Sequence, residues 1–422
     1  MKILLYISYA YPPQEGIASL RASRMVGHLQ KHGYRCAVLC GNVLHGLVED
    51  PTIVDLAWRT TRVGFLDPAV IFSPLRRKMN RNSGTTGPSG STGKKRALLR
   101  QIKQNLLPLN LTRMPGRRLP WIPGAALAFL RTGIRPDAIF TSSSPPACAM
   151  LGAFFSRRFN VPWIAEFRDL WSQNPVERLW PPLARMDEAI ERRVLSRADM
   201  LATVSEELAE SLKGLHHKPV LILPNGHDRH EPLAATHRRA GDPVHILHGG
   251  SLYMGRRDPT ILLKAVKQVA GEGIKARVTF IGHDAVQVAG RIAGDMDMDD
   301  LVTCLGPLPH EEYSKMMDRA DALAVIEETS QSAAGNATGK LFEYVGMRRP
   351  ILAVAPVGGA IDRILRRTGL GRAVTTSGEM ADDLRALAAG KEFQPVEDQI
   401  RALSRKAIAG RLAHALDELV KG

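Results

Sequence analysis

The chain has 422 residues and a net charge of +15, with a composition ordinary for a soluble globular protein. That length allows two domains of about 200 residues, each with its own hydrophobic core. It contains no run of the roughly 20 apolar residues needed to span a bilayer. Its four cysteines lack C-x-x-C pairs or matching His partners, which argues against a disulfide framework and a zinc site; all four are predicted to be buried.

Short apolar or β-branched runs alternate with longer helical patterns along the whole chain, which is typical of parallel α/β architecture. The N-terminal sequence MKILLYISYAYPP has one lysine and a short apolar run but no cleavage site. It reads as a first strand and not as a signal peptide, so we expect a cytoplasmic protein. The predicted strands are 3–8, 35–39, 138–141, 163–166, 200–204 and 220–223 in the first half, then 244–248, 276–281, 302–305, 322–326 and 351–355. They predict two parallel sheets, in a domain at 1–228 and a domain at 240–400. The polar run 225–242 is the predicted hinge, and a last helix is predicted near 400–422.

The positive charge is concentrated in one segment. Residues 68–136 contain fourteen basic residues and no acidic one, so they carry +14 and the rest of the chain about +1. Such a face implies an anionic partner, either a membrane surface or nucleic acid.

Within the basic insertion, at about 72–120, the Gly/Ser/Thr-rich run 82–93 is predicted to be a mobile loop. A basic amphipathic helix is predicted after it. Its basic residues are Lys94, Lys95, Arg96, Arg100 and Lys103. The pattern fits a membrane interface, and equally a surface helix packed on its own domain.

The loop after the first strand contains Tyr11-Pro12-Pro13 and then Gly16, before a helix predicted to begin near Ser19. Glycine permits close approach of a ligand to the backbone. The loop could therefore hold a phosphate or an acceptor head group. It is not a dinucleotide fingerprint, since G-x-G-x-x-G is absent.

The segment WIAEFRDLWSQNP reads as a central strand that ends near Glu166, Arg168 and Asp169. Open α/β sheets bind ligands at the carboxyl ends of their strands, so these side chains are candidates for a site. The alternative is that Arg168 and Asp169 form a local ion pair that fixes a loop.

The second domain begins with a strand that runs into Gly249-Gly250-Ser251, followed by Arg256 and Arg257 before a helix near Pro259. Paired glycines permit close approach to the backbone, and guanidinium groups suit a diphosphate. This loop is therefore a candidate phosphate site.

The most informative segment is AAGNATGKLFEYVGMRRPILAVAP, which reads as a polar loop, an amphipathic helix and a buried strand. Thr338, Gly339 and Lys340 would lie at the helix N-terminus, where backbone N–H groups and an ammonium favour an anion. Glu343 lies one turn further on, and its carboxylate could accept hydrogen bonds from two hydroxyls of a sugar ring. The alternative is a solvated i,i+3 pair of Lys340 and Glu343.

GKLFEYVGMRRPILAV resembles the donor-binding helix of GT-B glycosyltransferases of family 4 (group 1). Glu343 matches the second glutamate of that family's pattern of two glutamates separated by seven residues, and Gly335 stands at the place of the first. The loop with two prolines, Gly16 and Arg21 resembles the first loop of the same group. The resemblance implies an α/β protein with two Rossmann-like domains facing a central cleft, the second binding a nucleotide-diphospho-sugar and the first an acceptor. It also implies that the last helix, near 400–422, packs back on the first domain.

The resemblance also implies roles for individual residues. The expected donor-binding residues are Gly250, Ser251, Arg256, Arg257, Leu308, Thr338, Gly339, Lys340 and Glu343. The expected acceptor-binding residues are Gly16, Ile17, Arg21 and Glu166. The expected catalytic residues are Asp169, Arg168, Arg256 and Lys340. Many relatives have a His at the position of Arg168.

The implied reaction is metal-independent sugar transfer, without a cofactor and with retention of anomeric configuration. The D-x-D triplet at Asp295 and Asp297 lies in an acidic stretch between a predicted helix and a predicted strand, with no donor-binding segment nearby, and is not expected to bind metal. The implied acceptor is a glycan or a lipid-linked sugar in cell-surface glycan biosynthesis, with the protein peripheral on an anionic membrane through residues 94–103. No nucleic-acid partner is expected. A nucleotide-sugar epimerase of the same fold, or a non-catalytic basic nucleic-acid-binding protein, are the alternative functions.

Overall fold

The computed structural model describes residues 1–43, 49–50, 52–65, 118–143, 145–174, 179–229, 242–335, 337–390 and 393–421. The chain divides into two compact units. Unit 1 comprises Met1–Val204, Leu208–Leu223 and Ala409–Gly422, and unit 2 comprises Ser205–Glu207 and Pro224–Ile408. The predicted loop at 82–93, the predicted basic helix at 94–103 and most of the predicted hinge lie outside the described residues.

Unit 1 contains a seven-stranded parallel sheet in the order β3-β2-β1-β4-β5-β6-β7. The strands are β1 (Lys2–Ser8), β2 (Tyr34–Val43), β3 (Arg59–Phe65), β4 (Ala138–Ser143), β5 (Trp163–Phe167), β6 (Met200–Thr203) and β7 (Val220–Ile222). All residues of β4 and β5 are buried, as expected for strands covered on both faces. The edge strand β3 was not predicted, because its sequence RTTRVGF is half exposed and carries two arginines.

Helices connect the strands of this sheet, and the last of them has its first two residues in unit 2. They are α1 (Ile17–Lys31), α2 (Trp121–Arg131), α3 (Ala147–Phe159), α4 (Pro181–Leu195) and α5 (Glu206–His216). The core between helices and sheet is aromatic, with Trp121, Phe129, Phe155 and Trp163 fully buried.

Unit 2 contains a six-stranded parallel sheet in the order β10-β9-β8-β11-β12-β13. The strands are β8 (Val244–Gly249), β9 (Ala276–Ile281), β10 (Val302–Leu305), β11 (Ala322–Ile326), β12 (Ile351–Val354) and β13 (Gly371–Val374). The last strand was not predicted, because GRAV is short and only its second half is buried.

Helices flank this sheet as well. They are α6 (Thr260–Gly271), α7 (Arg291–Asp295), α8 (His310–Arg319), α9 (Gly339–Met347), α10 (Ala360–Thr368), α11 (Ser377–Ala388), α12 (Glu397–Ala402) and α13 (Arg405–Lys421). From Ala409 onward α13 belongs to unit 1. There Asp417 Oδ1 accepts hydrogen bonds from Lys2 Nζ (2.6 Å) and Tyr34 Oη (2.7 Å).

The cysteines are free thiols, as the sequence suggested. Cys36, Cys40 and Cys148 are buried, but Cys304 on β10 is only half-buried, so the prediction that all four lie in the core is wrong for this residue. Strand β10 is the edge of its sheet, and an edge strand covers its side chains incompletely.

No helix in the described ranges combines the length and apolar character needed to cross a membrane. Because every strand pair is parallel, the carboxyl ends of the strands of each sheet meet at one edge. The loops after β1, β4 and β5 in unit 1 therefore gather together, as do those after β8, β9 and β11 in unit 2. These two edges position the predicted site residues.

Candidate functional site

The loop after β8 is held in one conformation by a single buried carboxylate. Asp284, in the loop after β9, accepts hydrogen bonds from Ser251 Oγ (2.9 Å), the Leu252 N–H (2.8 Å) and the Met254 N–H (2.9 Å). Burial opposes ionisation, but the hydrogen bonds that the carboxylate accepts together outweigh it and hold the pKa of Asp284 below its ordinary value. The carboxylate therefore remains charged and fixes the loop that contains Gly250.

Lys340 extends from the start of α9 to this loop. Its ammonium lies against Gly250, so closely that a Cβ atom at position 250 would overlap Nζ. Gly250 also has φ +107°, a backbone conformation that favours glycine. The structure thus brings together Gly250, Ser251 and Lys340, three of the predicted donor-binding residues.

The ammonium of Lys340 is partly removed from water and has charged neighbours of both signs. Burial, followed by the positive charge of Arg257, lowers the pKa of Lys340 to about 8. Glu327, Glu343 and Asp284 act in the opposite direction. Lys340 is therefore a cation near neutral pH that is poorly solvated, the state in which a phosphate oxygen is a strong partner.

The two neighbouring arginines have different environments. Arg257 is largely buried and forms an ion pair with Glu327, in which Nη2 lies 2.9 Å from Oε2, and its guanidinium lies 4.5 Å from the centre of the Tyr253 ring. The side chain of Arg256 is 71% exposed and 3.6 Å from Glu328. Arg257 is therefore fixed in place, whereas Arg256 is exposed to solvent.

The other predicted donor residues lie on the same unit. Thr338 is the N-cap of α9, Gly339 is its first residue, and no side-chain hydrogen bond caps the helix. Glu343 is half-buried one turn along α9, within electrostatic range of Lys340. Leu308, in the loop before α8, packs half-buried against the core beside β11 and β12.

Two tyrosines at this edge were missed by the sequence reasoning. The Gly249 N–H donates to Tyr344 Oη (3.1 Å), which lies 3.0 Å from Tyr313 Oη. Tyr344 belongs to the GKLFEY motif, but nothing in the spacing indicated that its hydroxyl reaches the loop after β8.

A buried histidine at the same edge was also missed. His248 is 3% exposed, and its Nδ1 lies 2.9 Å from the Ala324 carbonyl oxygen. Burial, followed by the charge of Lys340, lowers its pKa to about 3. The imidazole is therefore neutral and adds no charge to the site.

In unit 1 two of the predicted acceptor residues are partners of each other. Arg21 on α1 forms a buried ion pair with Glu166 at the end of β5, with exposures of 4% and 1%. Ser142 Oγ donates to the second carboxylate oxygen of Glu166 (2.7 Å), and Arg21 donates to the Leu223 carbonyl oxygen (2.8 Å). Because both side chains are buried, we interpret the pair as holding the edge of the sheet in place and not as contacting an acceptor directly.

The remaining predicted residues of unit 1 reach the surface. Gly16 is the N-cap of α1, with φ +118°, and Ile17 is 54% exposed. Asp169 is exposed and Arg168 half-buried in the loop after β5. No ion pair joins Arg168 to Asp169 within the described residues, so the alternative of a local ion pair finds no support there.

The D-x-D triplet lies away from this edge. Asp295 ends α7, and Asp297 adopts a left-handed conformation in the turn that follows. Over the described part of the chain, no three His, Cys, Asp or Glu side chains are grouped as a metal site would require.

Comparison with known proteins adds to this geometry. Residues 18–226 match the family model described as glycosyl transferase 4-like domain. Sucrose-phosphate synthase from Thermosynechococcus elongatus aligns over 100% of both chains, with a TM-score of 0.63 and 15% identity. HepE from Anabaena, solved in complex with UDP, aligns over 99% of this chain and 100% of its own, with a TM-score of 0.59 and 12% identity.

A third solved structure belongs to a different enzyme class. A Listeria monocytogenes protein described as a UDP-N-acetylglucosamine 2-epimerase aligns over 99% of this chain and 96% of its own, with a TM-score of 0.54 and 11% identity. At these identities the structural matches establish the fold. No curated protein sequence matches the chain.

The two Rossmann-like units and their aligned relatives define the GT-B fold. With the match of its first half to the glycosyl transferase 4-like domain, the chain belongs to the GT-B glycosyltransferases of the family 4 (group 1) type. The predictions of fold and enzyme class are thereby confirmed.

Proposed function

We propose that unit 2 binds a nucleotide-diphospho-sugar at the carboxyl edge of its sheet and that the sugar is transferred to a hydroxyl of an acceptor bound by unit 1. The observation that carries this proposal is the half-buried Lys340 ammonium against Gly250, at the N-terminus of α9. A diphosphate there would contact the ammonium, the N-terminus of α9 and the backbone of Gly250, which has no side chain to block its approach. The UDP bound in HepE supports this choice of ligand class.

The charges at this edge suit the chemistry of the leaving group. When the bond between the sugar C1 atom and the phosphate oxygen breaks, negative charge grows on the departing nucleoside diphosphate. Lys340 and the exposed Arg256 would stabilise that charge more in the transition state than in the ground state, which lowers the barrier. The positive charge of Arg257, which Glu327 holds in place, would act on the Lys340 ammonium. The carboxylate of Glu343 would accept hydrogen bonds from hydroxyls of the nucleotide sugar.

In this proposal the exposed residues of unit 1 contact the acceptor. Gly16, Ile17 and Asp169 reach the surface at the edge formed by the ends of β1 and β5. The buried pair of Arg21 and Glu166 would hold α1 and β5 in register beneath them. Side-chain cations supply the positive charge, so we propose transfer without a bound metal or a cofactor. From the resemblance to family 4 we also propose retention of configuration.

We propose that the acceptor is a lipid-linked or polysaccharide glycan at the cytoplasmic face of an anionic membrane. The proposal depends on the basic sequence at 94–103, which lies outside the described residues. A positively charged amphipathic segment binds anionic lipid through both its charge and its apolar side chains.

The test of the reaction class is incubation with nucleotide sugars in the absence and presence of candidate acceptors. A transferase leaves the donor largely intact until an acceptor is added, and then forms product and nucleoside diphosphate in equal amounts. Conversion of a nucleotide sugar to its epimer without an acceptor would instead establish the alternative function, that of a nucleotide-sugar epimerase. The same assay with EDTA should run at the same rate.

A further inference from the structure

The carboxyl edge of the unit 1 sheet contains two guanidinium groups without a carboxylate partner. Arg168 follows β5 and Arg118 precedes α2, and among the described residues no Asp or Glu forms an ion pair with either. The Nε atom of Arg168 is buried and has no hydrogen-bond partner in the described structure. This contrasts with Arg21 at the same edge, which Glu166 neutralises.

The two guanidinium groups converge on one place. Arg118 lies over the ring of Tyr9, just after β1, at 3.6 Å from the ring centre. Burial raises the pKa of the Cys148 thiol to about 12, while Arg118 and Arg168 both act to lower it. Because Cys148 is in the first turn of α3, both positive charges lie near the start of that helix.

A buried hydroxyl lies at the same place. Ser143 is the last residue of β4, is 2% exposed, and its Oγ has no hydrogen-bond partner in the described structure. In the sheet it is paired with Phe167, the residue before Arg168. The helix that follows, α3, has 13 residues, and its N-terminus adds positive partial charge.

Unpaired and poorly hydrated donors of this kind are costly in a folded protein unless a ligand satisfies them. Here every donor favours the same kind of ligand, because guanidinium groups, a helix N-terminus and a hydroxyl all favour oxygen anions. Among the described residues of the loop after β5 (168–174 and 179–180), the one carboxylate is that of Asp169, which is exposed, and Glu166 at the end of β5 is paired with Arg21. The local charge is therefore positive.

We propose that the acceptor carries an anionic group, a phosphate or a carboxylate, which Arg118, Arg168 and Ser143 bind close to the reacting hydroxyl. This inference depends on the proposed function, since it assigns the anion to the acceptor of the transferase. It narrows the acceptor class from any glycan to one with an acidic group beside the sugar that receives the transfer.

The experiment uses three amphiphilic probes that differ in their head group: octyl phosphate, octyl glucuronide and octyl glucoside. Binding to the full-length protein is measured by calorimetry in the presence of saturating nucleoside diphosphate, so that the probes cannot occupy the donor site. We expect one of the two anionic probes to bind at least tenfold more tightly than the neutral glucoside. The head group that binds distinguishes a phosphate from a carboxylate.

The variants identify the site. Arg118→Gln should weaken binding of the anionic probe about tenfold, the effect of losing one charge-assisted hydrogen bond, and Arg118→Lys should restore part of it. Arg157→Gln is the matched control, because Arg157 is exposed on the same helix α3 towards its other end. Ser143→Ala should weaken anionic probes without changing binding of the neutral one.

Three results would overturn the inference: equal binding of neutral and anionic probes, no anionic binding at all, or anionic binding that Arg118→Gln and Ser143→Ala both leave unchanged. Nucleoside diphosphate binding is measured first in the same samples. Its absence would count against the proposed donor site, whereas its presence without anionic binding would count against the acidic acceptor alone.

Discussion

Lys340 is the residue on which most of the donor-site argument depends. The sequence placed it at a helix N-terminus beside a possible phosphate, and that expectation came from the motif GKLFEY. The sequence could not show that Lys340 contacts Gly250, because this contact joins two segments that are ninety residues apart (positions 250 and 340). Tertiary contacts of this kind also explain why Asp284 and Glu327 were missed.

The lowered pKa of Lys340 predicts a pH dependence. An ammonium with a pKa of about 8 is charged at pH 7 and mostly neutral at pH 9, so the affinity for a nucleoside diphosphate should be about tenfold weaker at pH 9. The phosphate charge does not change over this range, since phosphate monoesters lose their second proton near pH 6. Calorimetric titrations between pH 7 and pH 9 would measure the effect.

Lys340→Arg is the control for this dependence. A guanidinium keeps its proton throughout the range, so the variant should bind with an affinity that varies little with pH. If wild type and Lys340→Arg gave parallel pH profiles, titration of Lys340 would not be the cause.

At the scale of the elements, the success of the predictions follows the apolar runs in the sequence. The central strands β1, β4, β5, β8 and β11 are largely buried, and all were predicted within a few residues. Of the edge strands, β7 and β10 were predicted from the short runs VLI and VTCL, whereas β3 and β13 were missed because RTTRVGF and GRAV contain no such run. The loops that contain the site were located in the sequence by their glycines. The residues that contact these loops, such as Asp284, were not predicted.

The loop after β8 offers a test of how an element positions a side chain. Gly250→Ala places a methyl group where the Lys340 ammonium lies, at a backbone conformation that alanine rarely adopts. We expect nucleoside diphosphate affinity to fall at least tenfold, because the ammonium must move away from the ligand. Affinity is measured by calorimetry, and folding by thermal unfolding.

Gly255→Ala separates the steric effect from backbone strain. Gly255 lies in the same loop with φ +92°, but a Cβ atom there meets nothing within 4 Å. This variant should lose stability of the order of 1 kcal/mol and keep its affinity. A similar loss of affinity in both variants would mean that loop strain is the cause and that the contact with Lys340 is not.

For the whole molecule, the sequence indicated the number of sheets, their parallel strands and the enzyme class. The expectation that the last helix packs on the first domain came from the family resemblance and not from the residues of that helix. The assignment of residues 409–422 to unit 1 depends on contacts such as those of Asp417 with Lys2 and Tyr34, far away in the sequence. The basic insertion remains a prediction from sequence alone.

Neutralising Lys94, Lys95, Arg96, Arg100 and Lys103 together should release the protein from anionic liposomes. Each basic residue near such a surface contributes about 1 kcal/mol, so five account for most of a peripheral attachment. Flotation at low and high salt measures the release, since salt screens the attraction.

The control is a variant with the same charge change on exposed residues elsewhere. Its substituted residues are Lys31, Arg157, Lys213, Lys264 and Lys315. It should float more than the five-site variant. Undiminished flotation of the five-site variant would remove the basis for membrane attachment.

The central claim, a nucleotide-diphospho-sugar site built around Lys340, is tested most directly by thermal unfolding with a panel of nucleoside diphosphates and their sugars. A ligand at a hundredfold excess over its Kd stabilises the folded state by about 2.7 kcal/mol, which corresponds to a rise in Tm of about 3 °C if the whole chain unfolds together and about 6 °C if unit 2 unfolds alone. We predict such a rise for at least one nucleotide in the wild type and in Lys264→Ala, an exposed lysine on α6, and a much smaller rise in Lys340→Ala. The claim would be contradicted if no nucleotide raised the Tm, or if Lys340→Ala responded as strongly as the wild type.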